Sequence, residues 1–171
     1  MERGLILKKG TIVDSTIISA PSSTKNKEKK RDPDAHQVKK GNAWHFGYKA
    51  HIGVDRDSGL VHTVEATAAN VHDATETSKL LTGDEDEVYG DSGYLGAEKR
   101  GDAIIRNKAG RKIKYRINRR PSQVKKLSKS GQYAAKKAEH AKSSVRAKVE
   151  HAFGVVKKQL RFRKTRYRGL E

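Results

Sequence analysis

The first half of the chain alternates between apolar and polar positions with a period of two, which is typical of β-strands. Residues 4–20 are rich in Ile, Val and Thr and predict a strand, although Asp14 interrupts it and Asp is depleted in strands. Residues 44–70 alternate on both sides of the turn sequence DRDSG and predict an antiparallel hairpin. Residues 21–43, with two prolines and many charges, predict a mobile surface loop.

The middle of the chain predicts shorter elements. Residues 73–83 suggest a short helix, with Asp73 as its cap and a glycine at its end. A brief strand is expected over residues 88–90, ending at Asp91, and a helix is expected from Leu95 onward. The sequence KIKYRI, residues 112–117, predicts one more strand.

A long helix is predicted from Gln132 to about Leu160, and Gly154 is its weak point. Its apolar stripe has helical spacing and consists of Val145, Val149, Ala152, Val156 and Leu160. The succession of strands and helices predicts an α/β fold, and a length of 171 residues predicts a single domain, residues 1–171.

The charge distribution changes this picture, because the net charge of +18 is confined to one end of the chain. Residues 1–105 hold 15 Lys/Arg against 17 Asp/Glu, whereas the basic C-terminal part, residues 106–171, holds 23 against 3. This asymmetry is typical of a protein that binds a polyanion, most simply nucleic acid. A solubilising or ribosome-type basic tail would have the same composition.

The absence of cysteine excludes disulfides and thiolate zinc sites and makes a reducing cytoplasm the expected compartment. No run of 18 apolar residues and no signal peptide are present, so no membrane partner is expected.

Three acids stand out from the surface acids. Asp14 interrupts a β-branched strand, Asp91 follows a strand end, and Glu150 lies at the edge of the apolar stripe of the long helix. Each has an ordinary interpretation: a strand residue facing water, a turn residue, and a surface ion pair with Arg146. Together, however, they could hold two divalent cations for phosphoryl transfer, with the surrounding cations binding a DNA backbone.

Several ordered motifs resemble the bacterial insertion-sequence transposases of the insertion sequence 5 group. They are the segment from GTIVDST to HIGVD, then AANVHD, GDSGYLGA and RAKVEHAFGVVKKQ. The resemblance implies a ribonuclease H-like mixed sheet flanked by helices. It also implies a metal triad of Asp14 in DST, Asp91 in DSGY and Glu150 in the helical motif, with two Mg²⁺ or Mn²⁺ ions.

By the same resemblance, Arg146 and Lys157 would contact DNA phosphates near the cut, and Ser143 stands where the family has Tyr. The basic runs KNKEKKR and RFRKTRYR are expected to add phosphate contacts, and the remaining candidate contacts are Lys158, Arg161 and Arg163. His45 and His51 are expected to face DNA or to support the metal ligands.

The expected function is therefore that of a DNA transposase core, which hydrolyses a phosphodiester at a transposon end and performs strand transfer. Its partners would be double-stranded DNA, with terminal inverted repeats and a target, and further copies of the chain bound to that DNA at the nucleoid. Relatives usually carry additional segments at both ends, so a truncated core is expected. A non-catalytic DNA-binding remnant and a ribonuclease H-like nuclease without strand transfer are the alternatives.

Overall fold

A six-stranded mixed sheet lies at the centre of the computed structural model, which describes Leu7 and residues 9–170. The strands are β1 (Gly10–Ser19), β2 (His36–Lys40), β3 (Ala43–Asp55), β4 (Val61–Ala68), β5 (Glu87–Gly90) and β6 (Lys114–Ile117). The helices are α1 (Pro121–Lys125) and α2 (Lys129–Gly154), and α2 continues into a π-turn at Val155–Gln159. No described helix has the length and apolarity needed to cross a membrane.

Strand β1 lies between an antiparallel neighbour and a parallel one. It pairs antiparallel with β3, which pairs antiparallel with β4, and it pairs parallel with β5, which pairs parallel with β6. The predicted hairpin and the two predicted later strands are confirmed as β3–β4, β5 and β6. The α/β class is also confirmed, whereas residues 4–6 and 8 of the first predicted strand lie outside the described residues.

The two faces of β1 enter different parts of the core, as the period of two requires. On one face, Ile12 packs with Ile52 and Val54 of β3 against Val149 of α2. On the other face, Val13 belongs to a cluster that also contains Leu80, Leu81, Val88, Tyr94, Ile113 and Ile117. Asp14 pairs with Ile52 and therefore points to the face that α2 covers.

Helix α2 begins at a side-chain cap, since the Ser128 hydroxyl accepts a hydrogen bond from the Gly131 N–H at 3.2 Å. Only part of its length is anchored by apolar contacts, and Val149 is fully buried against the sheet. Beyond Gly154 the i→i+4 pattern changes, and the Leu160 N–H donates to the Val155 carbonyl at 2.9 Å. Because a π-turn shifts the helical phase, Leu160 leaves the apolar stripe and is 70% exposed, contrary to the prediction.

The predicted helix over residues 73–83 is wrong, because the structure forms two short 3-10 turns, Asp73–Thr75 and Ser78–Leu80. Threonine hydroxyls bind local backbone carbonyls here: Thr75 donates to His72 at 2.6 Å and Thr77 to Ala74 at 3.1 Å. Such local hydrogen bonds compete with a regular helix. The helix predicted from Leu95 is likewise reduced to a 3-10 turn at Ala97–Lys99.

The predicted loop over residues 21–43 contains β2, which pairs antiparallel with the start of β3. Four of the five β2 side chains are exposed and only Val38 is half-buried. This pattern explains why the sequence reads as a loop, since a strand without a buried face carries no hydrophobic alternation.

Candidate active site

The candidate site lies where β1 loses its parallel neighbour. Strand β5 pairs with β1 only from Gly10 to Ile12, so the next residues of β1 have an open edge on that side. Ile12 pairs with Tyr89, and the same register continued for two residues places Asp91 alongside Asp14. Asp14 and Asp91 accordingly line one pocket of about 210 Å³. The predicted pair of aspartates is thus brought together by strand pairing.

The Asp14 carboxylate is held in two directions. Its Oδ1 accepts the Ser15 N–H at 2.8 Å, and its Oδ2 lies 3.3 Å from an Arg146 guanidinium nitrogen. Burial raises the pKa of Asp14, and the negative charge of Asp91 raises it further, although Ser15 and Arg146 both oppose this effect. Asp14 is therefore a carboxylate whose ionised form is partly penalised by its surroundings.

Asp91 is fixed by the tight turn that follows β5. Its Oδ1 accepts the Gly93 N–H at 2.7 Å, which caps the 3-10 turn Ser92–Tyr94. A Cβ at Gly93 would lie 2.9 Å from that same Oδ1, and a Cβ at Gly90 would lie 3.1 Å from Tyr94. The small residues of the sequence GDSGY therefore allow the turn to close around the carboxylate.

A third aspartate, Asp73, lines the same pocket and was not predicted to do so. Its Oδ1 accepts hydrogen bonds from the Ser15 hydroxyl at 2.9 Å and from Lys49 at 3.0 Å. The residue that caps the 3-10 turn is instead His72, whose ring nitrogen accepts the Ala74 N–H at 3.2 Å. No sequence pattern distinguishes Asp73 from a capping residue, since its partners come from β1 and β3.

Tyr94 is fully buried close to the three aspartates. Burial raises the pKa of Tyr94, and the charges of three carboxylates, those of Asp73, Asp14 and Asp91, raise it further. The three aspartates thus act on one buried hydroxyl, which remains protonated.

His51 lies behind Asp73 and is fully buried, so the expectation that it faces DNA is wrong. Its Nε2 is 2.9 Å from the Thr67 hydroxyl, and its Nδ1 is 3.8 Å from Asp73 without a hydrogen bond. Burial lowers the pKa of His51, despite the nearby negative charge of Asp73. We infer that the His51 ring is neutral and packs next to the residues that line the pocket.

Glu150, the third predicted ligand, is exposed on α2 and does not line the pocket. One turn earlier on the same helix, Arg146 contacts Asp14 and also approaches Asn118 at 3.4 Å. Asn118 in turn donates to the hydroxyl of Ser143 at 3.3 Å. Within the described residues, no group of three or more His, Asp or Glu side chains is arranged to hold a metal ion.

The pair of Asp14 and Asp91 nevertheless fits a hard divalent cation. Both supply carboxylate oxygens, the ligands that Mg²⁺ and Mn²⁺ prefer. Burial raises the pKa of Asp14, the negative charge of Asp91 adds to this effect, and a cation beside the two carboxylates would favour their ionised forms. The candidate metal ligands that the structure brings together are therefore these two, with Asp73 in the same pocket.

The predicted DNA-binding cations lie on α2, on the π-turn after it and in the segment that follows. Lys157 is half-buried in the π-turn, and its pKa is lowered by burial and by the charges of Lys40 and Arg163. Arg163 donates to the Lys157 carbonyl at 2.9 Å, which holds the two residues together. Lys158 and Arg161 are exposed nearby in the chain. We call Lys40, Lys157 and Arg163 the basic cluster, and Lys40 also lines the aspartate pocket.

Comparison with known proteins identifies the family. No solved structure matches the chain. The family model of the transposase DDE domain matches residues 6–171, which is almost the entire sequence. This match includes β1, which carries Asp14, the turn after β5, which carries Asp91, and the helix that carries Glu150. The chain therefore belongs to the transposase DDE domain family.

Proposed function

We propose that this chain is the catalytic domain of a DNA transposase of the insertion sequence 5 group. In this proposal it uses Mg²⁺ or Mn²⁺ to hydrolyse a phosphodiester at a transposon end and then performs strand transfer. The observation that carries the proposal is the shared pocket of Asp14 and Asp91 at the open edge of β1, in a chain of the transposase DDE family. We further propose the ribonuclease H-like fold and a single domain, supported by the central position of β1 between β3 and β5 with α2 across it.

Asp14 and Asp91 would hold the two metal ions, with Glu150 as the third ligand. The ions would supply Lewis acidity, which activates a water or a 3′-hydroxyl and stabilises the leaving oxyanion. Residues four apart share one face of an α-helix, so Glu150 is the next side chain after Arg146 on the edge that faces Asp14. Arg146 balances the charge of Asp14, and we propose that it turns to a DNA phosphate when that charge is otherwise neutralised.

The chain's cations would position the substrate. The basic cluster lies beside the pocket, where Lys157 carries a depressed pKa that a phosphate would reverse. Exposed Lys158 and Arg161 would extend the contact along the DNA backbone. In catalysis, these lysines and arginines would position the scissile phosphate next to the metal site of the aspartates.

The first prediction concerns nicking of DNA that carries the inverted repeats flanking the chain's own gene. Asp14→Asn, Asp91→Asn and Glu150→Gln are each expected to lower the Mg²⁺-dependent nicking rate by at least about 100-fold, because each removes a charged ligand. DNA affinity, measured by fluorescence anisotropy, should remain within about threefold because phosphate contacts dominate it. Asp57→Asn, in the β3–β4 turn, is the matched control and should nick normally.

Full activity of any one of the three variants would remove that residue from the proposed mechanism. A second function is favoured by two observations, the Arg146 contact with Asp14 and the exposure of Glu150. These would suit a DNA-binding remnant without catalysis, which would bind the same DNA and leave it uncut. A nuclease without strand transfer would cut the DNA but would join no products to a target duplex in the same assay.

A further inference from the structure

A two-stranded ribbon extends from the main sheet beside the candidate site. Strand β3 pairs with β1 and β4 only from Gly47 onward, and residues 43–46 pair with β2 alone. A two-residue turn of Gly41 and Asn42 joins the strands, and Gly41 adopts the left-handed conformation with φ of 61°. We call residues 36–46 the ribbon.

The ribbon forms a wall of the aspartate pocket. Three of its residues, Val38, Lys39 and Lys40, line the pocket that also contains Asp14. The junction requires Gly47, whose φ is 156° and whose Cβ, if present, would lie 2.2 Å from the Ile18 carbonyl oxygen. The ribbon is therefore held over the site by close backbone contact with the end of β1.

Trp44 belongs to the ribbon, does not itself line the pocket and is 66% exposed. It pairs directly with Lys39 across the ribbon, so the two side chains lie on the same face at neighbouring positions. Two residues further along, Phe46 is covered by the Arg31 guanidinium at 5.5 Å from the ring centre. The largest aromatic surface of the ribbon is thus left open next to a lysine that lines the pocket.

Charge and shape indicate what this surface binds. The cations beside it, Lys39 and the basic cluster, attract phosphates, and the pocket next to Lys39 is the proposed place of the scissile phosphate. An indole ring offers a flat apolar face, and nucleobases stack on such faces without regard to sequence. Inside an intact duplex both faces of a base are covered by its neighbours, so away from the duplex ends only an unpaired base can stack in this way.

We propose that Trp44 stacks on an unpaired base adjacent to the phosphate that the metal site of Asp14 and Asp91 would hold. This inference rests on the proposed function, because it assigns the DNA phosphate to the aspartate pocket. The ribbon would hold the DNA end open at the cut while Lys39 and Lys40 contact the backbone on either side of the unpaired base.

The chain contains a single tryptophan, so fluorescence excited at wavelengths beyond the tyrosine absorption band reports on Trp44 alone. The probes are a fully paired duplex, the same duplex with a short unpaired overhang, and the single strand, all with Ca²⁺ in place of Mg²⁺ as the hard cation and with gel analysis to confirm that the DNA stays uncut. We expect strong quenching of Trp44 by the overhang and the single strand and weak quenching by the paired duplex. Trp44→Ala should weaken binding of the overhang duplex about 5- to 100-fold relative to the paired duplex.

Two further variants separate stacking from general effects. Trp44→Phe retains an aromatic face and should keep most of the preference for the overhang. Tyr133→Ala removes an aromatic residue that is 77% exposed near the start of α2, and it should leave the preference unchanged. Circular dichroism of each variant shows whether it is folded.

Unchanged Trp44 fluorescence with bound DNA would overturn the inference, as would an equal loss of affinity for both duplexes in Trp44→Ala. Absence of DNA binding would overturn it as well. The proposed function fails in a different way, through normal nicking by Asp14→Asn, and that result would leave the quenching of Trp44 intact.

Discussion

Asp14 is the residue on which the site depends, and folding places it where its charge is costly. Its carboxylate is half-buried, faces a second carboxylate at Asp91 and is balanced by Arg146. A carboxyl group whose pKa is raised on folding binds protons more readily in the folded chain than in the unfolded one. Its contribution to stability is therefore fully present below the unfolded pKa and is lost as the pH rises through the folded pKa.

The second prediction follows from this balance. Asp91→Asn removes a neighbouring negative charge and should lower the pKa of Asp14 toward its ordinary value. The shift can be measured by NMR titration of the Asp14 carboxyl carbon. Asp57→Asn is again the control, since Asp57 does not act on Asp14. If the pKa of Asp14 is unchanged or raised in Asp91→Asn, the two carboxylates do not interact electrostatically.

At the scale of elements, residues 161–170, which we call the basic C-terminal segment, are tied to the body of the protein by hydrogen bonds to β1 and to Asp32. Ser19 of β1 bonds to the backbone of Arg163 and Thr165 at 3.0 and 2.8 Å. Further on, buried Asp32 accepts hydrogen bonds from the Tyr48 hydroxyl and from the Gly169 N–H at 3.1 Å. Asp32 thus joins the segment before β2, strand β3 and the chain end.

The third prediction tests this junction. Burial opposes the charge of Asp32, but the hydrogen bonds from Tyr48 and Gly169 outweigh it and hold the pKa below its usual value. Asp32→Asn should therefore lower the free energy of unfolding at neutral pH by about 1–3 kcal/mol, as measured by urea denaturation. Tyr48→Phe, which removes one of these bonds, should cost about 0.5–1.5 kcal/mol.

The pH dependence of this effect has a defined sign. A carboxylate with a lowered folded pKa contributes stability above its unfolded pKa, and this contribution is lost as the pH falls through the folded pKa. The stability difference between the wild type and Asp32→Asn should therefore shrink in acid, below about pH 3.9. A difference that is independent of pH would mean that the charge of Asp32 does not stabilise the junction.

Across the whole molecule, the positive charge is concentrated in residues 106–171, which include α2, the π-turn and the basic C-terminal segment. The candidate pocket is lined by three aspartates and three lysines, so its formal charges balance, whereas the C-terminal part of the chain is strongly positive. This arrangement would attract a DNA backbone while leaving the three carboxylates for a metal site.

The fourth prediction concerns the salt dependence of DNA binding. If the five candidate cations, Arg146, Lys157, Lys158, Arg161 and Arg163, each neutralise one phosphate, log K should fall against log salt with a slope of about −4 to −5. The double variant Arg161→Ala and Arg163→Ala should reduce the magnitude of that slope by about 2, as measured by anisotropy titrations.

A matched pair of cations at other positions provides the control. Arg100 and Lys108 are ion-paired with Asp102 and Asp84, and their replacement by alanine should leave the slope unchanged. Equal slopes in both double variants would show that binding depends on total charge and not on the surface beside the pocket.

The sequence by itself determined the elements whose side-chain pattern is strong. The hairpin β3–β4, the short strands β5 and β6 and most of α2 follow from periodicity, because one buried face leaves a period of two or of 3.6. It also determined the charge asymmetry and the pairing of Asp14 with Asp91 as candidates, since both stand at unusual places for a carboxylate. Strand β2 was missed because it has no buried face, and the turns at residues 73–80 were missed because threonine hydroxyls replace helical hydrogen bonds.

Only the tertiary structure decided which side chains share the pocket. Asp73 joins it through Ser15 and Lys49, which lie far away in the sequence, and His51 is buried behind it. The sequence could not predict whether Glu150 reaches the pocket. Helical spacing gives the direction of its side chain around α2 but not the distance of α2 from β1. Periodicity records which face of an element is buried, whereas the approach of two elements depends on packing between residues far apart in the chain.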